Sequence, residues 1–83
     1  MSATNPARAV ISWSAQEWVR EYIRTKQQAE IVYQDPSGQM MIVHEVLHDI
    51  LSRAGHDFLV LGTGKVLGVE RILLIDGKEL TKQ

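Results

Sequence analysis

One spacing in this chain names a chemistry outright. In the stretch MMIVHEVLHDILSRAGHDF, residues His44-Glu45-Val46-Leu47-His48 read H-E-x-x-H. On a helix, positions i and i+4 share a face, so both imidazoles reach one zinc ion. The glutamate then polarises the metal-bound water, and a third ligand completes the site. Val46, Leu47, Ile50 and Leu51 have helical spacing, and His56 or Asp57 stands downstream as a third ligand. Three points weigh against this. Asp49 directly follows His48 at a position that is uncharged in zinc hydrolases of this pattern. His56 follows Gly55 and leads into a strand, at no usual third-ligand spacing. A chain this short also lacks the residues to build a substrate cleft around such a helix as well as a core. The expectation is a coincidence of spacing, with His44 and His48 partly exposed on a strand end and one helical turn. No metal and no cofactor is expected, and His44, Glu45 and His48 as ligands and base remain the alternative.

The other constellations are weaker. LGTGKVLG places Gly62, Gly64 and Gly68 at G-x-G-x-x-x-G, which meets neither the dinucleotide nor the phosphate-loop spacing, and Val66 follows Lys65 where a phosphate loop needs Ser or Thr. Strand-like segments flank it on both sides, so a hairpin turn is expected, with Gly68 as a bulge or close contact. Ser52, His48 and Asp49 supply the residue types of a triad, but no strand-to-helix elbow presents the serine. Tyr33 and Phe58 fall on predicted strands and read as core packing before base stacking.

Composition narrows the classes further. The 83 residues suffice for a single modest core. There is no cysteine, which excludes disulfides, thiolate metal sites and a cysteine nucleophile. Nine basic against ten acidic residues give a formal charge of −1, unlike a general nucleic-acid binder with a strongly basic surface. No apolar run approaches the ~20 residues of a membrane span. MSATNPARAV lacks the apolar run of a secretory signal, so a cytoplasmic setting is expected.

The elements that must position these residues follow from the pattern. Residues 1–12 read as a flexible lead-in with Val10 and Ile11 packed down, and residues 13–83 as a single small barrel domain. Ser14 followed by Glu17 reads as a capping box, with Trp13 and Trp18 as its hydrophobic staple. Trp18, Val19, Tyr22 and Ile23 then make one apolar stripe. Together these predict an amphipathic helix over Ala15–Lys26, with Glu17, Arg20, Glu21 and Arg24 on its solvated face. AEIVYQ reads as a strand, Asp35-Pro36-Ser37-Gly38 as a turn and QMMIV as the return strand. HDFLVLG is a third strand, Thr63-Gly64-Lys65 a tight turn and VLGVERILLI a long fourth strand. Asp76-Gly77 is a two-residue hairpin turn after which Lys78–Leu80 folds back as a short fifth strand. The resulting class is mainly β, a small SH3- or Sm-like antiparallel barrel of four to five strands with an N-terminal amphipathic helix.

One stretch also resembles a known family. In DILSRAGHDFLVL, the residues Asp49, Ile50, Leu51, Ser52, Arg53, Asp57, Phe58, Leu59 and Val60 are similar, without a gap, to the core of the Rof family. These are small bacterial proteins that bind and inhibit the transcription terminator Rho. IVYQDPSG resembles the family's strand ending in a turn glycine, and VERI its strand before the C-terminus, so the likeness spans Ala29 to Leu74. It implies an Sm-like barrel with an N-terminal helix and a non-enzymatic role, by protein–protein contact with Rho. Contacts are expected on exposed charges of the helix and of the matched stretch: Glu17, Glu21, Asp49, Arg53 and Asp57. The same stretch is also similar to part of the ligand-sensing WYL domain, though no W-Y-L triplet is present. A ligand- or RNA-sensing module is therefore the runner-up, and a zinc hydrolase ranks below it.

Overall fold

The structure, a computed structural model, describes residues 10–81. The expected lead-in falls largely outside them. A single helix, α1 (Trp13–Thr25), precedes five strands: β1 (Gln28–Gln34), β2 (Met40–Arg53), β3 (His56–Leu61), β4 (Val66–Gly68) and β5 (Ile72–Ile75). The strands form one antiparallel sheet in the order β4-β3-β2-β1-β5. Its two edges, β4 and β5, are not joined by a ladder, so hydrogen bonds do not close the expected barrel.

The helix starts two residues before the predicted position. Its N-cap is Ser12, whose hydroxyl accepts from the Ala15 amide at 3.2 Å. Ser14 is an exposed first-turn residue and makes no capping box with Glu17, and Trp13 is 86% exposed, so there is no staple. Ile11 decides the start. It is 3% exposed, and burying it fixes where the chain turns into the helix, whereas Val10 stays half exposed. The apolar stripe holds: Ala15, Val19 and Tyr22 are buried, with Trp18 and Ile23 packed against them. At the other end Lys26 is left-handed at φ 56°, its amide donating to the Ile23 carbonyl and that of Gln27 to Tyr22. This is a Schellman termination made without the usual glycine.

The long second strand is the main correction. HEVLHDILSR continues β2 without a helical turn, making it 14 residues long. Its first half, Met40–Val46, pairs with β1, and its second half, Leu47–Arg53, pairs with β3. The register shifts between Leu47 and Asp49, so His48 is the extra residue of a β-bulge. Before the bulge Met41, Val43 and Leu47 share the parity of the core face; after it Ile50 and Ser52 do. That one-residue slip puts core-facing residues at 43, 47 and 50, an i, i+4, i+7 spacing that imitates a helix.

The predicted fourth strand VLGVERILLI is broken by a 3-10 turn at Val69–Arg71. It has to be, because β4 and β5 lie on opposite edges of the sheet and the chain must cross between them. Val69, 1% exposed, anchors that crossing in the core. Lys78–Leu80, expected to fold back as a strand, makes only an isolated bridge from Ile75 to Lys78, and the fifth strand is Ile72–Ile75 instead. Its turn is as expected, with Asp76 and Gly77 both at positive φ, the type I′ pattern. The turns at Gly38 and Gly64 also hold, both glycines being left-handed.

The helix lies chiefly against β2, and core residues come from every element. Val19, Ile31, Leu59 and Ile75 are completely buried, each side chain contributing about 1.5–3 kcal/mol relative to exposure. The ends of the described chain are tied together, since the Ser12 amide donates to the Leu80 carbonyl at 2.9 Å.

Candidate functional site

The HEVLH residues lie on a strand, which changes what they can reach. His44 and His48 are both exposed, and four residues of strand separate their Cα atoms by roughly 13 Å. The helical geometry that brings i and i+4 imidazoles onto one zinc is absent. Glu45 faces the opposite side of the sheet from His44, opposite Ala29. His44 instead points its Nε2 at Glu30 Oε2 across the β1–β2 ladder, 3.5 Å away at the surface. Among the described residues, no group of three or more His, Cys, Asp or Glu side chains is placed to hold a metal.

The triad residues are likewise dispersed. Ser52 is exposed near the end of β2 and donates to Asp57, His48 stands in the bulge, and Asp49 Oδ1 accepts from the Ile50 amide at 2.8 Å. The glycine stretch forms the β3–β4 hairpin, with Gly62 N–H donating to Val46 and Gly64 N–H to Leu61. No anion cradle is built there.

Of the five charges expected at a partner surface, four are exposed: Glu17 and Glu21 on α1, Asp49 and Arg53 on β2. Glu21 is engaged with Arg24 one turn on, where the carboxylate raises the guanidinium's already high pKa. Asp57 does not meet the expectation of exposure. It is 7% exposed, facing inward on β3, where it accepts from the Ile11 amide at 2.8 Å and from the Ser52 hydroxyl. A buried carboxylate needs such donors, because leaving it without them costs several kcal/mol. Its visible work is to hold the helix entry against the β2–β3 hairpin.

Two features escaped the sequence reading. The first is a polar tie between α1 and the β5 turn. Asp76 accepts from the Tyr22 hydroxyl at 2.6 Å and from the Glu30 amide at 2.9 Å, while Lys78 lies 4.5 Å over the Trp18 ring. The Tyr22 hydrogen bond, then the Glu30 amide, hold the Asp76 carboxyl below its usual range against the opposing effect of burial. The same hydrogen bond, with burial, pushes the Tyr22 phenol upward. A tyrosine on an apolar helix face paired with a type I′ aspartate was the only sequence signal for it.

The second is apolar surface outside the core. Phe58, read as core packing, lies on the outer face of the sheet beside Leu51, Val66 and Arg53, which together line a shallow depression. A second cleft runs between the β1–β2 and β3–β4 turns, where Lys65 sits 5.6 Å over the Tyr33 ring and Arg71 donates to the Asp35 carbonyl. Tyr33 itself is 4% exposed, as core packing predicts, and gives a base no free face to stack on.

Among the described residues no helix is long and apolar enough to cross a membrane. No family model, curated protein or solved structure matches the chain.

Proposed function

We propose that this chain is a non-enzymatic interaction module, a Rof-like barrel of the Sm or SH3 type that acts on the transcription machinery by contacting the terminator Rho. The observation that carries this reading is the placement of the stretch that resembles the Rof family. Asp49 to Leu61 forms the β2–β3 hairpin, and its outer face presents Asp49 and Arg53 to solvent. Support also comes from the strand order, in which β1 lies between β2 and β5 and the long β2 serves two half-sheets. An Sm-type barrel closed by side chains fits that order. Glu17 and Glu21 on the helix, with Asp49 and Arg53 on the hairpin, are the contact residues. Asp57 supports the hairpin from inside. A cytoplasmic setting goes with this proposal.

Titration against Rho by calorimetry, at low and at physiological salt, is the direct test. The expected result is binding that weakens with salt, accompanied by inhibited termination. Charge reversal at Glu17 or Arg53 then slows association and flattens the salt dependence, because rim charges steer encounter more than they hold the complex. Absence of heat and of inhibition in both buffers overturns the reading. Binding of RNA by the free protein, with none to Rho, favours the sensor alternative.

A further inference from the structure

We propose that the outer face of the β2–β3–β4 half-sheet is a self-association surface, on which two copies of this chain meet about a two-fold axis that passes between their Leu51 side chains. The pairing register fixes which side chains share that face. Leu59 and Leu67 pair with each other and are buried, and Leu59's other partner, Ile50, is partly buried against the same core, so the alternate positions point outward. Those are Asp49, Leu51 and Arg53 on β2, His56, Phe58 and Val60 on β3, and Val66 on β4. Leu51 and Val66 are 42% and 51% exposed, and Phe58 and Val60 are partly exposed between them. Gly68, opposite Phe58, adds no side chain to cover the ring.

Charge order identifies the occupant. Along β2 the apolar centre at Leu51 is flanked by Asp49 two residues before and Arg53 two residues after, each about 6.6 Å along the strand. The ion pairs among the described residues are Arg24–Glu21 and His44–Glu30, so neither Asp49 nor Arg53 is engaged in one. A two-fold axis midway between the two sheets, perpendicular to β2 and passing between the two Leu51 side chains, reverses this order on the second copy. It sets Arg53 of each chain against Asp49 of the other and Leu51 against Leu51, so both ion pairs form together. A face that complements itself in this way fits an isologous dimer. Sheets packed face to face stand about 10 Å apart, room for the Leu51, Phe58 and Val66 side chains to interdigitate.

The area sets the strength. Three strands at ~4.8 Å and five residues of strand outline an apolar centre on the order of 200 Å², against about 800 Å² per partner in a standard interface. The dimer is accordingly weak and transient. This inference does not rest on the Rho reading, since it concerns the chain alone.

Sedimentation equilibrium and NMR dilution of the full chain, from about 1 mM down to roughly 10 μM, test it. The expected result is a monomer–dimer equilibrium with dilution shifts centred on Leu51, Phe58, Val60 and Val66. Arg53→Asp and Asp49→Arg each weaken it about tenfold, since two symmetry-related contacts change at once. The double variant D49R/R53D restores it. Asp49→Asn, which keeps the acceptor for the Ile50 amide, still weakens it and so separates charge from local structure. A monomer throughout, dilution shifts on another face, or a dimer indifferent to both single reversals overturns the proposal.

Discussion

At the residue scale, two hydroxyl groups carry opposite lessons. Ser14 has the sequence context of a cap and makes none, while Ser12 caps the helix through the Ala15 amide. Ser12→Ala is therefore expected to cost about 1 kcal/mol in urea denaturation, the usual loss of a cap. Ser14→Ala stays within about 0.5 kcal/mol, as exposed substitutions do; equal losses would mean the cap had been assigned to the wrong serine. The Tyr22 hydroxyl binds an ionised partner, so its contribution depends on pH. The folded state holds Asp76 below its usual range, so this stability is present above about pH 4, where the unfolded aspartate is ionised. It is lost as pH falls through the folded-state value. Tyr22, raised in the folded state, keeps its contribution below about pH 10 and loses it as the phenol ionises. Tyr22→Phe should lower stability by about 1 kcal/mol at pH 7, with the gap from the unsubstituted chain narrowing as acid takes the pH down through the folded-state value of Asp76. A constant gap across that range would place the loss in packing.

At the element scale, the β2–β3 hairpin carries a visible compromise. Its turn residues are Ala54 and Gly55, with φ 55° and 83°, the left-handed pair of a type I′ turn. Gly55 adopts this conformation freely, but an alanine there costs roughly 1–2 kcal/mol. Asparagine tolerates the left-handed region and leads in this turn type. Ala54→Asn is therefore expected to raise the melting temperature by a few degrees, about 0.5–1 kcal/mol in a domain of this size. A fall would show that Ala54 has contacts beyond the turn. The same hairpin depends on Asp57, which accepts from Ser52 across the ladder and from Ile11 at the helix entry, joining two elements far apart in sequence.

At the scale of the whole molecule, the position of β2 decides the chemistry of HEVLH. Because one strand must pair with β1 along its first half and β3 along its second, the motif is held extended where the two halves meet. Purified protein is expected to carry no stoichiometric zinc, and its melting temperature to ignore chelator, both before and after His44→Ala. One zinc per chain by elemental analysis, lost in that variant, would make His44 and His48 ligands by a rearrangement of the strand.

The sequence by itself determined the features that depend on near neighbours in the chain. The apolar stripe of α1, the turns at Gly38, Gly64 and Gly77 and the alternation of β1 and β3 follow from local sterics and period. So do a mainly β class and the exposure of Glu17, Glu21, Asp49 and Arg53. Tertiary structure decided whatever required knowing what lies opposite. His48 is a bulge because β2 changes partner there, and the bulge gave Leu47 and Ile50 the spacing of a helix. Ser12 outranks Ser14 because Ile11 finds a buried place beside Asp57. Val69–Arg71 leaves the strand because β4 and β5 occupy opposite edges of one sheet. Asp57 is inside and Phe58 outside, against expectation, because strand period separates the two faces while only the partner strands and α1 determine which face is covered.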